Sequence, residues 1–327
     1  MMHKFGKTLA ALALLAASAA QSQVQAQEVV RLGNIKLAHF GAISYIKEIA
    51  PRCGIKVEEK TFAKGLDVMQ AIIAGELDVG ATASEAAISG RAGGAPILVV
   101  AGFATGGARL VAQPGQNITS VAHLKGKRVG VTRGAIQEVL LMAELQKHKL
   151  SSGTEPGKDV QLVFLSYADL NAAMIGKQID AMMQSEPQAS QAINKAFGVE
   201  VLKPYDTPIG SPVRTMVMTE QFYNTRRPLA EKFMRCFVQA TKAFIDDKAL
   251  ASKYVRETIF KGQISVDDFE DAIGNAPYSY DITAEHIQVT TDTMAKTGVG
   301  RMRQPPVARD WVRTDLLAAA KKSLNVN

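Results

Sequence analysis

The sequence predicts an α/β protein of two lobes, in which the chain leaves the first lobe, builds the second and returns. Three observations carry this. Strand and helix signals alternate from about residue 28 onward, two stretches rich in Pro and Gly interrupt the alternation, and a motif of the first series recurs 101 residues later in the second.

The N-terminus and the composition bound where the protein works. Lys4 and Lys7 precede the apolar run "TLAALALLAASAA" and the small-residue site Val24, Gln25, Ala26, the pattern of a cleaved secretory signal covering residues 1–26. No Cys stands at the end of that run, so a free periplasmic protein is expected rather than a lipid-tethered one. No later stretch reaches the roughly 18 to 20 apolar residues that a membrane helix needs. The formal charge is +7, and removal of Lys4 and Lys7 leaves +5. Basic and acidic residues are interspersed, without a basic run that could track a phosphate backbone, so nucleic acid is not an expected partner. Cys53 and Cys236 are the two cysteines. Cys236 falls on the helical stripe Phe233, Cys236, Phe237, Ala240, Phe244, which reads as a buried thiol, although an exported chain also permits a Cys53–Cys236 bridge.

The elements follow in order. "EVVRLGNI" reads as a strand, "GAISYIKEIA" as a helix stopped by Pro51, "GIKVEEKTF" as a strand and "GLDVMQAIIAG" as a helix stopped by Gly75. "LDVGA" is a strand leading to an Ala-rich helix near Glu85, and "PILVVAGF" and "ARLVAQ" are strands again. Pro114, Gly115 and Asn117 then mark a break. A second series pairs "RVGV" with "GAIQEVLLMAELQKHKL", "DVQLVFL" with "ADLNAAMIG", and "QIDAMM" with a helix from Glu186. "PYDTPIGSP" is the second break, after which "VRTMVMT" is a strand and the rest is nearly all helical. Chain crossings are expected near 112–116 and 206–212. Lobe I then owns 27–113 and 211–327, and lobe II owns 114–210.

The echo points to function. In the first series an Ala-rich helix ends at Gly75 and is followed by Asp78, a short strand, Ser84 and Glu85. In the second, Gly176 is followed by Asp180, a short strand, Ser185 and Glu186. Ser84 alone predicts an ordinary helix N-cap. Matching strand-to-helix junctions in two lobes predict a shared ligand seat, because such junctions aim backbone N–H groups at a small anion.

Three stretches then resemble a known family over essentially the whole mature length. They are "AIIAGELDVGATASEAAISGRAGGAPILVVAGF", "SVAHLKGKRVGVTRGAIQEVLLMAEL" and "GKQIDAMMQSEPQAS". The chain resembles the periplasmic substrate-binding proteins of ABC transporters of the nitrate, sulfonate and taurine class, within the thiamine-pyrimidine-synthase-like superfamily. The resemblance implies a periplasmic-binding-protein (Venus-flytrap) fold with two hinge crossings. It implies a monomeric protein that captures a solute and delivers it to a permease served by an ATPase, without a cofactor. A pyrimidine or thiamine-precursor binder and a ligand-binding partner of a sensor kinase or chemoreceptor are the alternatives.

Four junctions are expected to open on the cleft. They offer His39 and Phe40; Phe62 and Lys64; Thr82, Ser84 and Glu85; and Arg133, Gly134, Ala135 and Gln137, the last resembling the family's anion-holding turn. Glu186 of the family's acid–proline pair is a further candidate. Arg133 is the expected charged contact, whereas Arg109 and Arg214 fall near the crossings and either line the cleft or flank a hinge. Ser185 stands where many relatives carry an aromatic residue, and the only Trp, Trp311, is far along the C-terminal helices. These features favour a small organic anion, a sulfonate or carboxylate ahead of nitrate, over a stacked heterocycle. His39, His123, His148 and His286 show no metal-ligand spacing. "GFATGGAR" lacks the Gly-Lys-Ser/Thr ending of a phosphate loop, and "GATAS" is not a nucleophile elbow. Two isolated cysteines do not match the Cys-rich iron motif of the related pyrimidine synthases, so no enzyme is expected.

Overall fold

The computed structural model describes residues 27–326, and the expected signal segment lies outside the described residues. Strands β1 (Val29–Ile35), β2 (Lys56–Phe62), β3 (Val79–Ala83) and β4 (Ile97–Thr105) come first. They are followed by β5 (Ala108–Ala112), β6 (Arg128–Val131), β7 (Ser152–Gly153), β8 (Val160–Phe164), β9 (Ala181–Ser185), β10 (Val199–Leu202) and β11 (Val213–Thr219). Helices α1 (Gly41–Ile49), α2 (Gly65–Ile73) and α3 (Ser84–Ala92) belong to the first series, and α4 (Ile136–Lys147), α5 (Tyr167–Ile175) and α6 (Gln188–Asn194) to the second. The C-terminal part holds α7 (Glu220–Thr225), α8 (Arg227–Asp246), α9 (Lys248–Lys253), α10 (Val266–Asn275), α11 (Ala284–Thr297) and α12 (Asp315–Ser323).

Two sheets form, in the orders β2-β1-β3-β11-β4 and β10-β5-β9-β6-β8-β7. Their cores are parallel, β1 pairing with β2 and β3, and β6 with β8 and β9. Each sheet also takes one antiparallel strand directly after a chain crossing, β5 in the second and β11 in the first. The first crossing differs from the expected one near 112–116. Ala108–Ala112 already pairs with β9, so the chain passes between the sheets at Gly106 and Gly107, and the Pro114–Gly115 turn lies inside the second lobe. Both crossing glycines have left-handed backbones (φ 69° and 79°), a conformation other residues adopt only with strain. A Cβ on Gly106 would also stand 2.2 Å from the Asn275 carbonyl oxygen. The return runs between Leu202 and Val213.

The sequence echo has a physical basis. Arg31, the third residue of β1, grips Asp78 through its backbone N–H (2.9 Å), Nε (3.1 Å) and Nη2 (2.8 Å). Arg128 opens the second lobe's strand and grips Asp180 in the same three ways, at 2.8, 3.2 and 2.9 Å. Each guanidinium also donates to a carbonyl at the preceding helix end, Gly75 or Lys177. A bidentate knot of this kind fixes where the short strand begins, and so where it delivers the next junction.

The first sheet is buried under one large core that includes the α8 stripe and Trp311. The second lobe carries a separate apolar cluster on each face of its smaller sheet. Cys236 lies on the buried α8 stripe as expected, but not as a free thiol: it is bonded to Cys53, with Cα atoms 5.9 Å apart. The turn after α1 brings Cys53 onto α8, which sequence spacing alone could not reveal. The bridge joins residues 183 positions apart. Replacing both cysteines by Ser should therefore lower the unfolding free energy by about 2–4 kcal/mol in denaturant titrations. An unchanged midpoint would show that the bridge does not contribute.

Candidate functional site

In open parallel sheets ligands sit beyond the carboxyl ends of the strands. Here the carboxyl ends of both sheets turn toward each other across the crossings. Junction residues from both lobes close around a small cell lined by Leu37, Phe40, Glu85, Gln137, Tyr167 and Arg214, together with Ala83, Ile136 and Ser185. The cell is almost filled, with about 10 Å³ open, roughly the space of one water. An outer cleft of about 420 Å³ continues from it, sharing Ile35, Leu37 and Tyr167, and bringing Phe62, Phe260 and Gln188 to its walls.

Arg214 is the cation of this cell. It stands at the start of β11, and because β11 runs antiparallel beside β3, with Arg214 opposite Ala83, that start meets the carboxyl end of β3. The side chain is 1% exposed. Its Nη2 donates to the Gly106 carbonyl (2.5 Å) and weakly to that of Gly107 (3.4 Å), and its Nε donates to His39 Nε2 (3.0 Å). Its Nη1 has no partner. Burial lowers the affinity of this guanidinium for its proton, and Glu85 pulls the other way. A Cβ on Gly107 would lie 2.9 Å from Nη2, so this glycine is needed for the arginine to pack against the crossing.

His39 is fully buried and accepts from Arg214, so its proton sits on Nδ1, which is unpaired. Burial, followed by the Arg214 charge, holds the imidazole well below its ordinary pKa, in the neutral form. Glu85 opens the first turn of α3, 3% exposed, with Oε2 unpartnered. Burial raises its carboxyl to about 7, although Arg214 and nearby backbone N–H groups favour the anion. The acid is thus poised between charged and neutral forms near neutral pH. Thr82, Ser84 and Thr132, at the same junctions, are also buried with unpaired hydroxyls. Buried polar groups are normally satisfied, so the orphaned atoms gathered at these junctions make them the candidate ligand seat, although Thr82, Ser84 and Thr132 line neither the cell nor the outer cleft.

The remaining expected residues divide. Phe40 and Gln137 line the cell. Gln137 donates to the Gly107 carbonyl (3.3 Å) and accepts from the Tyr167 hydroxyl (2.9 Å). Phe62 lines the outer cleft, and Lys64 is the half-buried N-cap residue of α2, outside the lining of either space. Ser84 is not the expected N-cap of α3: Ala83 holds that position, no side chain caps the helix, and the Ser84 hydroxyl is left over. Arg133 is exposed and stacked on Phe164 at 3.7 Å, outside the cell. The turn at Gly134 and Ala135 does not present a vacant anion seat, because the Gly134 N–H donates to Glu138 Oε2. The second-series helix begins at Gln188 rather than at Glu186. Glu186 is buried against Arg109 (2.6 Å), Ser190 and Asn275. Arg109 goes on to Glu200 and Asp271, tying the second lobe to α10. Tyr167 was missed, although "LSYADL" is a fifth strand-to-helix junction, with Ser166 capping the helix.

Comparison with known proteins agrees with this architecture. A putative aliphatic sulfonates-binding protein of Escherichia coli (strain K12) is 28% identical over 204 residues, covering 62% of this chain and 59% of that protein's length. The alkanesulfonate-binding protein of Xanthomonas axonopodis pv. citri, solved with MOPS bound, matches with a TM-score of 0.72 at 19% identity, over 88% of this chain and 98% of that one. The periplasmic nitrate-binding protein of Synechocystis PCC 6803 matches with a TM-score of 0.74 at 16% identity, over 92% and 90% of the two chains. These likenesses establish the two-lobed periplasmic-binding-protein fold. The sequence model of the family described as "NMT1/THI5 like" matches residues 52–250, more than half of the chain, and the protein therefore belongs to the NMT1/THI5-like family.

Proposed function

We propose that this protein is an extracytoplasmic solute-binding protein of an ABC importer that seats the head of a small organic anion, a carboxylate or sulfonate, between its lobes. The observation that carries the reading is Arg214, a buried guanidinium at the meeting of the lobes with one nitrogen unpartnered. An anion placed there would accept from Nη1 and from the orphaned hydroxyls nearby. Glu85, in its protonated form, would donate rather than repel. The lobes, residues 27–106 with 211–327 and residues 107–210, part about the two crossings to admit the solute. They close because its bonds to both sides favour the closed state. The protein acts as a monomer, is exported by its N-terminal signal, delivers solute to a permease and catalyses no reaction. Periplasmic and sulfonate-binding relatives support this reading.

A heterocycle is the second reading, favoured by the rings of Phe62, Tyr167 and Phe260 along the outer cleft. A thermal-shift screen of residues 27–327 against alkyl sulfonates, nitrate, carboxylates, pyrimidines and polyamines separates the two. A ligand at ~100 times its Kd adds about 2.7 kcal/mol and raises the midpoint by several degrees. A shift confined to pyrimidines would move the assignment to the heterocycle, and a shift confined to polyamines would overturn it.

Substitution then tests the residues. Arg214→Met should weaken binding of the identified anion at least ~100-fold by calorimetry, the scale of a lost buried charge-assisted contact, with a cooperative melt retained. Arg133→Ala should change it by less than about threefold. The reverse ranking would return the site to the turn at Gly134.

The pH dependence has a defined sign. Glu85 titrates near 7 in the solute-free protein, and a bound anion raises it further, so binding takes up a proton. Affinity should fall severalfold between pH 6 and pH 8, and Glu85→Gln should flatten the profile. Affinity that rises with pH would indicate a cationic solute facing ionised Glu85.

A further inference from the structure

A cavity larger than the outer cleft lies elsewhere in the molecule. It holds about 800 Å³ and lies behind α10, between that helix, the end of α8, α9 and the segment that follows α9. We propose that this cavity is a second binding site, for a free single-chain amphiphile with a monoanionic head, such as a long-chain carboxylate. The inference does not depend on the solute assigned to the cleft.

Shape and chemistry both point this way. A volume in the range of ~300–1,000 Å³ suits a small molecule rather than a macromolecular surface. The floor is apolar and buried, formed by Phe244, Ala251, Phe269 and Tyr278. Lys248, Lys253 and Arg256 stand on the rim, and among the described residues none of the three is in an ion pair. Glu257 and Glu270 also reach the rim, so the local balance is one positive charge, which matches one anionic head and disfavours a dianion. An apolar floor with a rim of net single positive charge is complementary to a chain that ends in a carboxylate.

Two backbone features set the cavity apart from an accidental gap. Arg256 and Glu257 of its wall belong to Tyr254–Ile259, a π-helical turn, a rare conformation that recurs at functional positions. Gly274 lines it from α10, and a Cβ there would meet nothing within 4 Å. The cavity thus opens where this helix lacks a side chain. The same helix uses its opposite face to hold the second lobe: Asp268 accepts from Asn194 (3.0 Å), Asp271 from Arg109 (2.8 Å), and Asn275 donates to Glu186 (2.9 Å). A chain lodged against Phe269 and Ile273 would therefore brace the helix that joins the lobes.

The test uses residues 27–327 and dodecanoate below its micelle-forming concentration, followed by calorimetry. One equivalent should bind, binding should persist in Arg214→Met, and dodecanol should bind at least ~10-fold more weakly. Gly274→Phe, which fills the cavity from a helical position with room for a side chain, should abolish binding while leaving the melting curve intact. Lys248→Glu with Lys253→Glu should weaken it at least ~10-fold, and this surface pair serves as the test if the Phe variant fails to fold. Absence of binding to the wild-type chain, equal affinity for dodecanol, or no effect of the charge reversals overturns the proposal. So does binding that disappears in Arg214→Met and survives in Gly274→Phe, which would place the chain in the cleft.

Discussion

Burial of the Arg214 guanidinium where the lobes meet is the constraint from which the rest of the site follows. Taking such a cation out of water costs several kcal/mol after relaxation, and only surrounding acceptors offset it. The acceptors are the carbonyls of the crossing strand and the imidazole of His39. The crossing must therefore be glycine at 106 and 107, both to turn the chain and to let its backbone approach the arginine. His39 must be neutral to accept, and burial keeps it so. The antiparallel course of β11 is what carries an arginine at its first turn to the carboxyl end of its neighbours.

A second buried arginine does different work. Arg109 is only 3% exposed, yet it faces the carboxylates of Glu186, Glu200 and Asp271, and Arg109, Ser190 and Asn275 offset part of the burial that raises the Glu186 carboxyl. A cation so fully paired has little capacity left for a solute. It fastens α6 and β5 to α10 and thereby keeps one side of the lobe junction together. On the other side, at or beside the cell, His39, Glu85 and Arg214 each keep an unpartnered polar atom. The contrast is between a satisfied joint and a cell that keeps unpartnered polar atoms.

Much of this architecture was legible in the sequence, because it rests on local signals. Alternating apolar periods located the strands and helices, and the Gly–Asp echo located equivalent junctions in both lobes, each fixed by an Arg–Asp knot. His39, Phe40, Glu85 and Gln137 were identified from strand-to-helix junctions and come together at the cell or beside it. What stayed hidden depends on pairing across the chain. Ala108–Ala112 reads as one more strand of the first series, and only its partner β9 shows that it belongs to the second sheet. Arg133 reads as the charged contact, and Arg214 only as a residue that lines the cleft or flanks a hinge. Stacking on Phe164 takes the first to the surface, and antiparallel insertion takes the second to the centre. Cys236 likewise sits on the stripe its spacing indicates, while its partner is 183 residues away.

The most direct measurement is a crystal structure of residues 27–327 grown with the anion that stabilises them most. The account predicts closed lobes with the anionic head within hydrogen-bond distance of Arg214 Nη1 and at least one of the hydroxyls of Thr82, Ser84 or Thr132. It also predicts the tail directed toward Phe62 and Tyr167. An anion held at Arg133 and Gly134, with Arg214 Nη1 still unpartnered, would contradict it.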